Sequence, residues 1–235
     1  MVRTQVRVRR PARPLALALP ALLLLACAAP SLSEASSAGQ TCPPPSPPPA
    51  VAPSAPSPAA PAEPSPEQIL ACVGSEPITG ASFSHWAMIA RRSEGRPAKG
   101  QHPPIAAARR TEVVSFLISS DWVIGEAGDL HIGVSAAQVR RQFDHVKGQQ
   151  FRKRREFEAF LRSSGQTVAD LLFRVQLNML SERIQRHVTA VPGDARAHQR
   201  ALSRFVEAFK AKWAAQTYCA PEYAVQDCGH VQSAL

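Results

Sequence analysis

Histidine, cysteine, serine and acidic side chains are the residues that could support catalysis or hold a metal, and their spacing favours neither. The seven histidines include no HxxxH pair and no pair near a cysteine or carboxylate at ligand spacing, so no metal site is predicted. The sequence has no GxSxG motif, no phosphate-binding glycine loop and no CxxC pair, and no cofactor is expected. Ser119-Ser120-Asp121 could be cast as part of a hydrolase site, but beside Trp122 on a helix it is better explained as a polar face. We assign no catalytic residue.

Cys27 indicates how the protein is exported. It ends the run Leu24-Leu25-Ala26-Cys27, which follows an Arg-rich start and an apolar stretch too short to span a membrane. This order is typical of a bacterial lipoprotein signal, so residues 1–27 are predicted to be a signal peptide with a lipobox, and Cys27 the lipidated residue. Ordinary cleavage near Ala28, giving a secreted protein, is the alternative. Both interpretations predict an extracytoplasmic protein, either a cell-membrane lipoprotein or a secreted one.

The remaining four cysteines can form disulfides outside the cytoplasm. Cys219 and Cys228 lie in a loop-like tail and are expected to pair, closing a loop worth about 2 to 3 kcal/mol on the chain-entropy argument. Cys42 lies in a proline-rich segment and Cys72 in an apolar strand. These two are expected to stay unpaired, although the cysteine count permits a bond between them.

Proline divides the chain into an extended segment and a foldable one. Most of the 22 prolines precede residue 70, and residues 28–66 contain almost no large apolar side chain. Such a segment predicts a disordered tether of about 40 residues that reaches on the order of 100 Å. Residues 67–235 are sufficient for one domain with a hydrophobic core. The net charge of +9 owes much to the N-terminal arginines, so no nucleic-acid partner is predicted.

The foldable segment is organised around residues 167–187, where one helix carries apolar side chains on two sides. Thr167 is its expected N-cap, with Asp170 three residues later. The two sides consist of Val168, Leu171, Leu172, Val175 and Met179, and of Phe173, Leu177, Leu180, Ile184 and Val188. Such a helix must be covered from two directions. Burial at the centre of a helical domain is the preferred explanation, and a homodimer interface is the alternative.

Apolar periodicity predicts five further helices around this central helix. Their starts are expected at Thr79, Ala106, Ser135 and Arg154, and after a turn ending at Asp194. The second helix is expected to bury Ile124 and the last to bury Val206. The predicted fold is mainly α: a small helical bundle with at most a short strand, at residues 69–74.

Several stretches of this domain resemble the N-terminal helical chaperone domain of the SurA and PrsA extracytoplasmic foldases. The stretches are Val73-Gly74, Pro77-Ile78-Thr79, Phe83, Glu126-Ala127, Val134-Ser135, Phe160-Leu161, Ser164-Gly165-Gln166-Thr167 and Asp170-Leu171-Leu172. The C-terminal segment of secreted members is similar to Lys212-Trp213, Thr217, Cys219, Tyr223 and Asp227-Cys228. The resemblance covers residues 69–228. It implies a domain that holds unfolded exported polypeptides.

The sequence departs from this family at the place where the enzyme module usually lies. In these foldases a parvulin-type prolyl isomerase of roughly a hundred residues follows the central helix, whereas here His187 to His198 spans the gap. A dozen residues cannot build a sheet with a substrate pocket. The resemblance therefore implies the chaperone part without the isomerase part.

A chaperone of this kind needs an apolar cleft that accepts many sequences. Trp86, Met88, Trp122 and Phe143 are the candidate client-binding residues, with core packing as the alternative for each, and the central helix is expected not to touch clients. The expected partners are unfolded polypeptides, and the membrane through a lipid anchor; no oligomeric state is predicted. Two alternative functions remain: prolyl isomerase activity, and an adaptor role through basic helices. The basic side chains of those helices are Arg140, Arg141, Lys147 and residues 152–155.

Overall fold

The computed structural model describes residue 42 and residues 63–93 and 106–232. The predicted signal peptide, the lipidated Cys27 and most of the tether lie outside the described residues. Seven helices lie in the described part: α1 Gly80–Ser93, α2 Ala107–Asp129, α3 Ala136–Gln150, α4 Arg154–Ser164, α5 Val168–Val188, α6 Ala195–Ala215 and α7 Gly229–Gln232. Its strands are β1 Ile69–Val73, β2 Glu76–Thr79 and β3 Thr217–Cys219, and a 3-10 turn covers Pro221–Tyr223. The mainly α prediction is confirmed.

The helices begin where polar side chains can accept the unpaired backbone N–H groups of a first turn. The Ser135 hydroxyl accepts from the Gln138 N–H at the start of α3, and the Thr167 hydroxyl accepts from the Asp170 N–H at the start of α5. A carboxylate oxygen of Asp194 accepts from Ala197 at the start of α6, 2.8 Å away. These contacts confirm the predicted starts of three helices.

A small antiparallel sheet, in the order β2-β1-β3, extends the bundle beyond the one short strand expected. β1 pairs with β2 across a tight turn, and Ala71, Cys72 and Val73 also pair with β3 near the C-terminus. Alternating apolar residues do not mark β3, because it consists of Thr217, Tyr218 and Cys219 alone. Its pairing with β1 depends on the whole bundle bringing the two ends of the domain together.

The main hydrophobic core lies between the sheet, α1, α2, α6 and the C-terminal tail. Its most buried side chains include Leu70, Val114 and Ile118, all fully shielded from solvent. A second cluster joins Ala127 of α2 to two α5 residues, Leu180 and Ile184.

The central helix α5 contacts α2, α3 and α6, as a helix with two apolar sides requires. Leu177, Leu180 and Ile184 are buried, whereas the side that begins at Val168 is half-buried within the single chain. Two core assignments on neighbouring helices were wrong: Ile124 and Val206 are each 39% exposed. Both lie at the edge of an apolar stripe, where periodicity does not distinguish the core from the rim.

Two disulfides fasten the ends of the domain. Cys219–Cys228 closes the tail, which confirms the predicted pair. Cys42 pairs with Cys72 of β1, with Cα atoms 5.9 Å apart, so the expectation of two unpaired thiols was wrong. The bond joins residues 30 positions apart, and a proline-rich sequence gives no sign that residue 42 returns to β1.

The domain also begins before residue 67, where the tether was expected to end. The Pro66 carbonyl accepts from the Ala81 N–H at 2.9 Å, and Arg91 pairs with Glu63 at 2.6 Å. The last residues of the predicted tether are therefore part of the folded domain.

Candidate functional site

A cleft of about 520 Å³ opens between β2, α1, α2 and α5. Its apolar wall combines residues from all four elements: Pro77, Ile78, Trp86, Leu117, Ala169 and Phe173. The size lies within the range of about 300 to 1,000 Å³ that is usual for ligand sites. The cleft is therefore large enough to receive side chains from another polypeptide.

Trp86 is the centre of the apolar wall and is held by rings on neighbouring helices. Its ring lies 4.7 Å from Phe116 in an edge-on arrangement and 6.1 Å from Phe173. The Arg174 guanidinium lies over the same indole at 5.0 Å, a cation–π contact that further restrains the ring. These contacts make a rigid wall out of side chains that come from three helices.

His85 and Asp170 join α1 to the start of α5 at one end of the cleft. The His85 Nε2 lies 2.8 Å from Asp170 Oδ1, and Asp170 Oδ2 accepts from both the N–H and the hydroxyl of Thr167. Burial alone would raise the pKa of Asp170, but the hydrogen bonds from Thr167 and His85 hold that pKa below its usual value. The carboxylate of Asp170 therefore already has hydrogen-bond partners within the fold.

Asp121 lies in the same cleft and has no such partners. Among the described residues no side chain or backbone group forms a hydrogen bond or ion pair with its carboxyl. Burial, with a smaller contribution from the negative charge of Glu76, raises the pKa of Asp121 to about 6. A half-buried carboxylate without a partner is costly to the fold, which makes Asp121 a candidate for contact with a ligand.

The residues next to Asp121 do not form a hydrolase site. The hydroxyls of Ser119 and Ser120 both donate to the carbonyl of Phe116, at 3.1 and 2.7 Å. Ser119 belongs to an exposed polar face as expected, whereas Ser120 is buried. Both hydroxyls are used within their own helix.

The four candidate client-binding residues lie in different places. Trp86 lines the cleft but is only 9% exposed and belongs to the main core, so core packing, the alternative, also applies to it. Trp122 is a core residue whose indole N–H donates to the Thr217 hydroxyl at 2.8 Å, and Phe143 is buried against Phe157. Met88 is 40% exposed on α1, away from the residues that line the cleft. The structure therefore does not bring the four together.

The cleft also contains residues that were not among the candidates. Glu76 and Asp121 line it, and so do Ala169, Asp170 and Phe173 of α5, the helix expected to remain hidden from clients. The start of α5 therefore lines the cleft, whereas its buried residues Leu177, Leu180 and Ile184 do not. Phe173 was detectable as the member of its stripe closest to the helix start, but its neighbours across the cleft were not.

The described residues contain no group of three His, Cys, Asp or Glu side chains placed to hold a metal ion. In the same part of the chain, no helix combines the length and apolar character needed to cross a bilayer. The two disulfides fit a location outside the cytoplasm. No protein-family model matches this chain, and no curated protein or solved structure shows significant similarity to it.

Proposed function

We propose that this protein is a non-enzymatic, chaperone-like protein that holds unfolded exported polypeptides outside the cytoplasm. The observation that supports this most is the open cleft with a rigid apolar wall around Trp86 and Phe173. An unfolded chain exposes apolar side chains with no fixed shape. A wall of rings and aliphatic groups can bury them without requiring specific hydrogen bonds.

Anchoring by a lipid on Cys27 belongs to the same proposal. A tethered domain would meet polypeptides as they leave the membrane, and the proline-rich residues after Cys27 would provide the spacer. The Cys42–Cys72 bond would shorten that spacer, because the chain is fastened to β1 at residue 42.

The proposal does not include prolyl isomerisation. Helix α6 follows α5 after residues 189–194, and Asp194 in this connection serves as the N-cap of α6. A protease-coupled tetrapeptide assay tests this part directly. Isomerisation above the uncatalysed rate would contradict the proposal and favour the enzyme alternative.

Suppression of aggregation tests the chaperone-like function. The chain should slow aggregation of two unrelated chemically denatured proteins, without ATP. Phe173→Ser should weaken this effect several-fold, because it removes a half-buried ring from the cleft wall. Val191→Ser is the matched control, since Val191 is 43% exposed and lies outside the cleft. Equal protection by both variants would contradict a role for the cleft.

An adaptor role is the second candidate, and an exposed basic surface favours it. Arg152, Lys153 and Arg155 are all exposed where α3 meets α4. Such a surface could bind one acidic envelope partner. Replacing all three by Gln should leave aggregation suppression unchanged under the chaperone proposal. Loss of aggregation suppression in this variant, with the cleft intact, would contradict the chaperone proposal and favour a binding role for the basic surface.

A further inference from the structure

Two carboxylates without a partner among the described residues share the cleft with an apolar wall, and this combination points to a particular kind of client. We propose that the cleft prefers apolar polypeptide segments that carry a lysine or arginine side chain. This inference rests on the chaperone-like function proposed above and specifies which clients bind most tightly.

The titratable side chains that line the cleft are mainly acidic. They are Glu76 from β2, His85 from α1, Asp121 from α2 and Asp170 from α5. His85 and Asp170 form a hydrogen bond with each other, which leaves the carboxyls of Glu76 and Asp121 without a partner among the described residues. No lysine or arginine is among the described residues that line the cleft. Acidic side chains therefore outnumber basic ones in its lining, although the Arg174 guanidinium lies 5.0 Å from the ring of cleft-lining Trp86.

The carboxyls of Glu76 and Asp121 also repel each other. Glu76 and Asp121 line the same cleft, and burial, with repulsion from Glu76 as a smaller cause, raises the pKa of Asp121. A bound cation relieves this repulsion and gives Asp121 the partner that the described residues do not supply. The fold therefore carries a cost that a cationic side chain offsets on binding.

The shape of lysine and arginine fits the rest of the cleft. Each has a long aliphatic stem that packs on apolar surface while its charged end reaches a polar group. Here the stem can lie along Pro77, Ala169 and Phe173, the more exposed apolar residues of the cleft, while the head group reaches Asp121. A compact cation without a stem would gain the charge contact but not the burial.

Three labelled peptides of identical apolar sequence, with one central Lys, Gln or Glu, test the inference by fluorescence anisotropy at pH 7.5. The lysine peptide should bind the full chain about fivefold more tightly than the glutamine peptide, and the glutamate peptide most weakly. Asp121→Asn and Glu76→Gln should each reduce the lysine preference by at least half. Glu182→Gln is the control, because Glu182 is an exposed α5 residue outside the cleft.

The outcomes separate this inference from the function on which it rests. Equal binding of all three peptides would overturn the charge preference and leave the chaperone-like function standing. Binding of none of them would overturn both. A lysine preference that survives in Asp121→Asn and Glu76→Gln would place the cation elsewhere and also overturn the inference. Because the two variants lie on different elements, misfolding of one leaves the other to decide.

Discussion

Two carboxylates on α2 have opposite surroundings, although they lie one and a half turns apart. Glu126 is only 5% exposed, but it accepts from Lys212 Nζ at 2.6 Å and from the Trp213 indole N–H at 2.7 Å. Asp121 is less buried, has no partner among the described residues and has a pKa raised to about 6. The presence or absence of hydrogen-bond partners therefore distinguishes the two carboxylates better than their burial does.

The difference shows how one helix serves two purposes. At Glu126, α2 contacts α6 through hydrogen bonds from Lys212 and Trp213. Gly125 lets the Trp213 ring approach α2 at a place where a Cβ would collide with it. Hydrogen bonds to Asp129 and Glu126 raise the pKa of Lys212, against the lowering effect of burial. At Asp121 the same helix faces an open cleft. We infer that Glu126 stabilises the fold and that Asp121 binds ligand at some cost to stability.

Glu126→Ala should have the largest effect on stability. It leaves the buried indole N–H of Trp213 without an acceptor and removes one partner of Lys212, at a cost of about 3 kcal/mol. Urea unfolding at pH 7.5 measures this loss. Glu112→Ala on the same helix should cost little, because its pairing with Arg109 is exposed. Similar losses in the two variants would show that the buried, paired Glu126 stabilises the fold no more than an exposed ion pair does.

Removing the tail disulfide should be the next largest change. Cys219→Ala with Cys228→Ala frees the tail that pairs with β1, and the chain-entropy argument gives a loss of about 2.6 kcal/mol. Thermal unfolding of the double variant, without reductant, checks this value. An unchanged melting temperature would show that the tail disulfide does not stabilise the fold.

Thr217→Val should cost about 1.5 kcal/mol. The Thr217 hydroxyl accepts from the Trp122 indole and donates to the Trp213 carbonyl, each at 2.8 Å, and valine can do neither. Urea unfolding of this nearly isosteric variant measures the loss. Thr189→Val provides a control, because the Thr189 hydroxyl bonds to α5 in an exposed position.

Asp121→Asn should have the smallest effect and the opposite sign. Between the ordinary pKa of 3.8 and about 6 the folded state binds more protons at Asp121 than the unfolded state, so stability falls as pH rises through this range. Asparagine removes that loss. The variant should be about 1 kcal/mol more stable than wild type at pH 7.5, after allowance for solvent screening, with little gain near pH 4. A variant less stable at pH 7.5 would show that the Asp121 charge supports the fold.

The sequence predicts the helices well because their signals are local. Ser135, Thr167 and Asp194 cap helices through residues three positions away, and apolar periodicity follows each helix independently of its neighbours. The short strand β3 and the Cys42–Cys72 bond were missed because each joins distant parts of the chain.

The cleft was less predictable for the same reason. It requires β2, α1, α2 and the first turn of α5 to meet, which no stretch of sequence encodes by itself. Of the four candidate residues, Trp86 alone lines the cleft, and because its indole is also buried in the core, its helical spacing gave no sign of this position. Asp121 and Glu126 likewise look alike in the sequence, and their roles depend on which elements face them.

Site-specific photo-crosslinking tests the central claim, that polypeptides bind in this cleft, most directly. A photoreactive residue replaces Ser82, which is exposed and lines the cleft, or Ser203, which is exposed on α6 outside it. The account predicts that an unfolded client crosslinks from position 82, that excess unlabelled apolar peptide competes this away, and that position 203 gives only background. Equal crosslinking from the two positions, or crosslinking from 82 that no peptide competes, would contradict it.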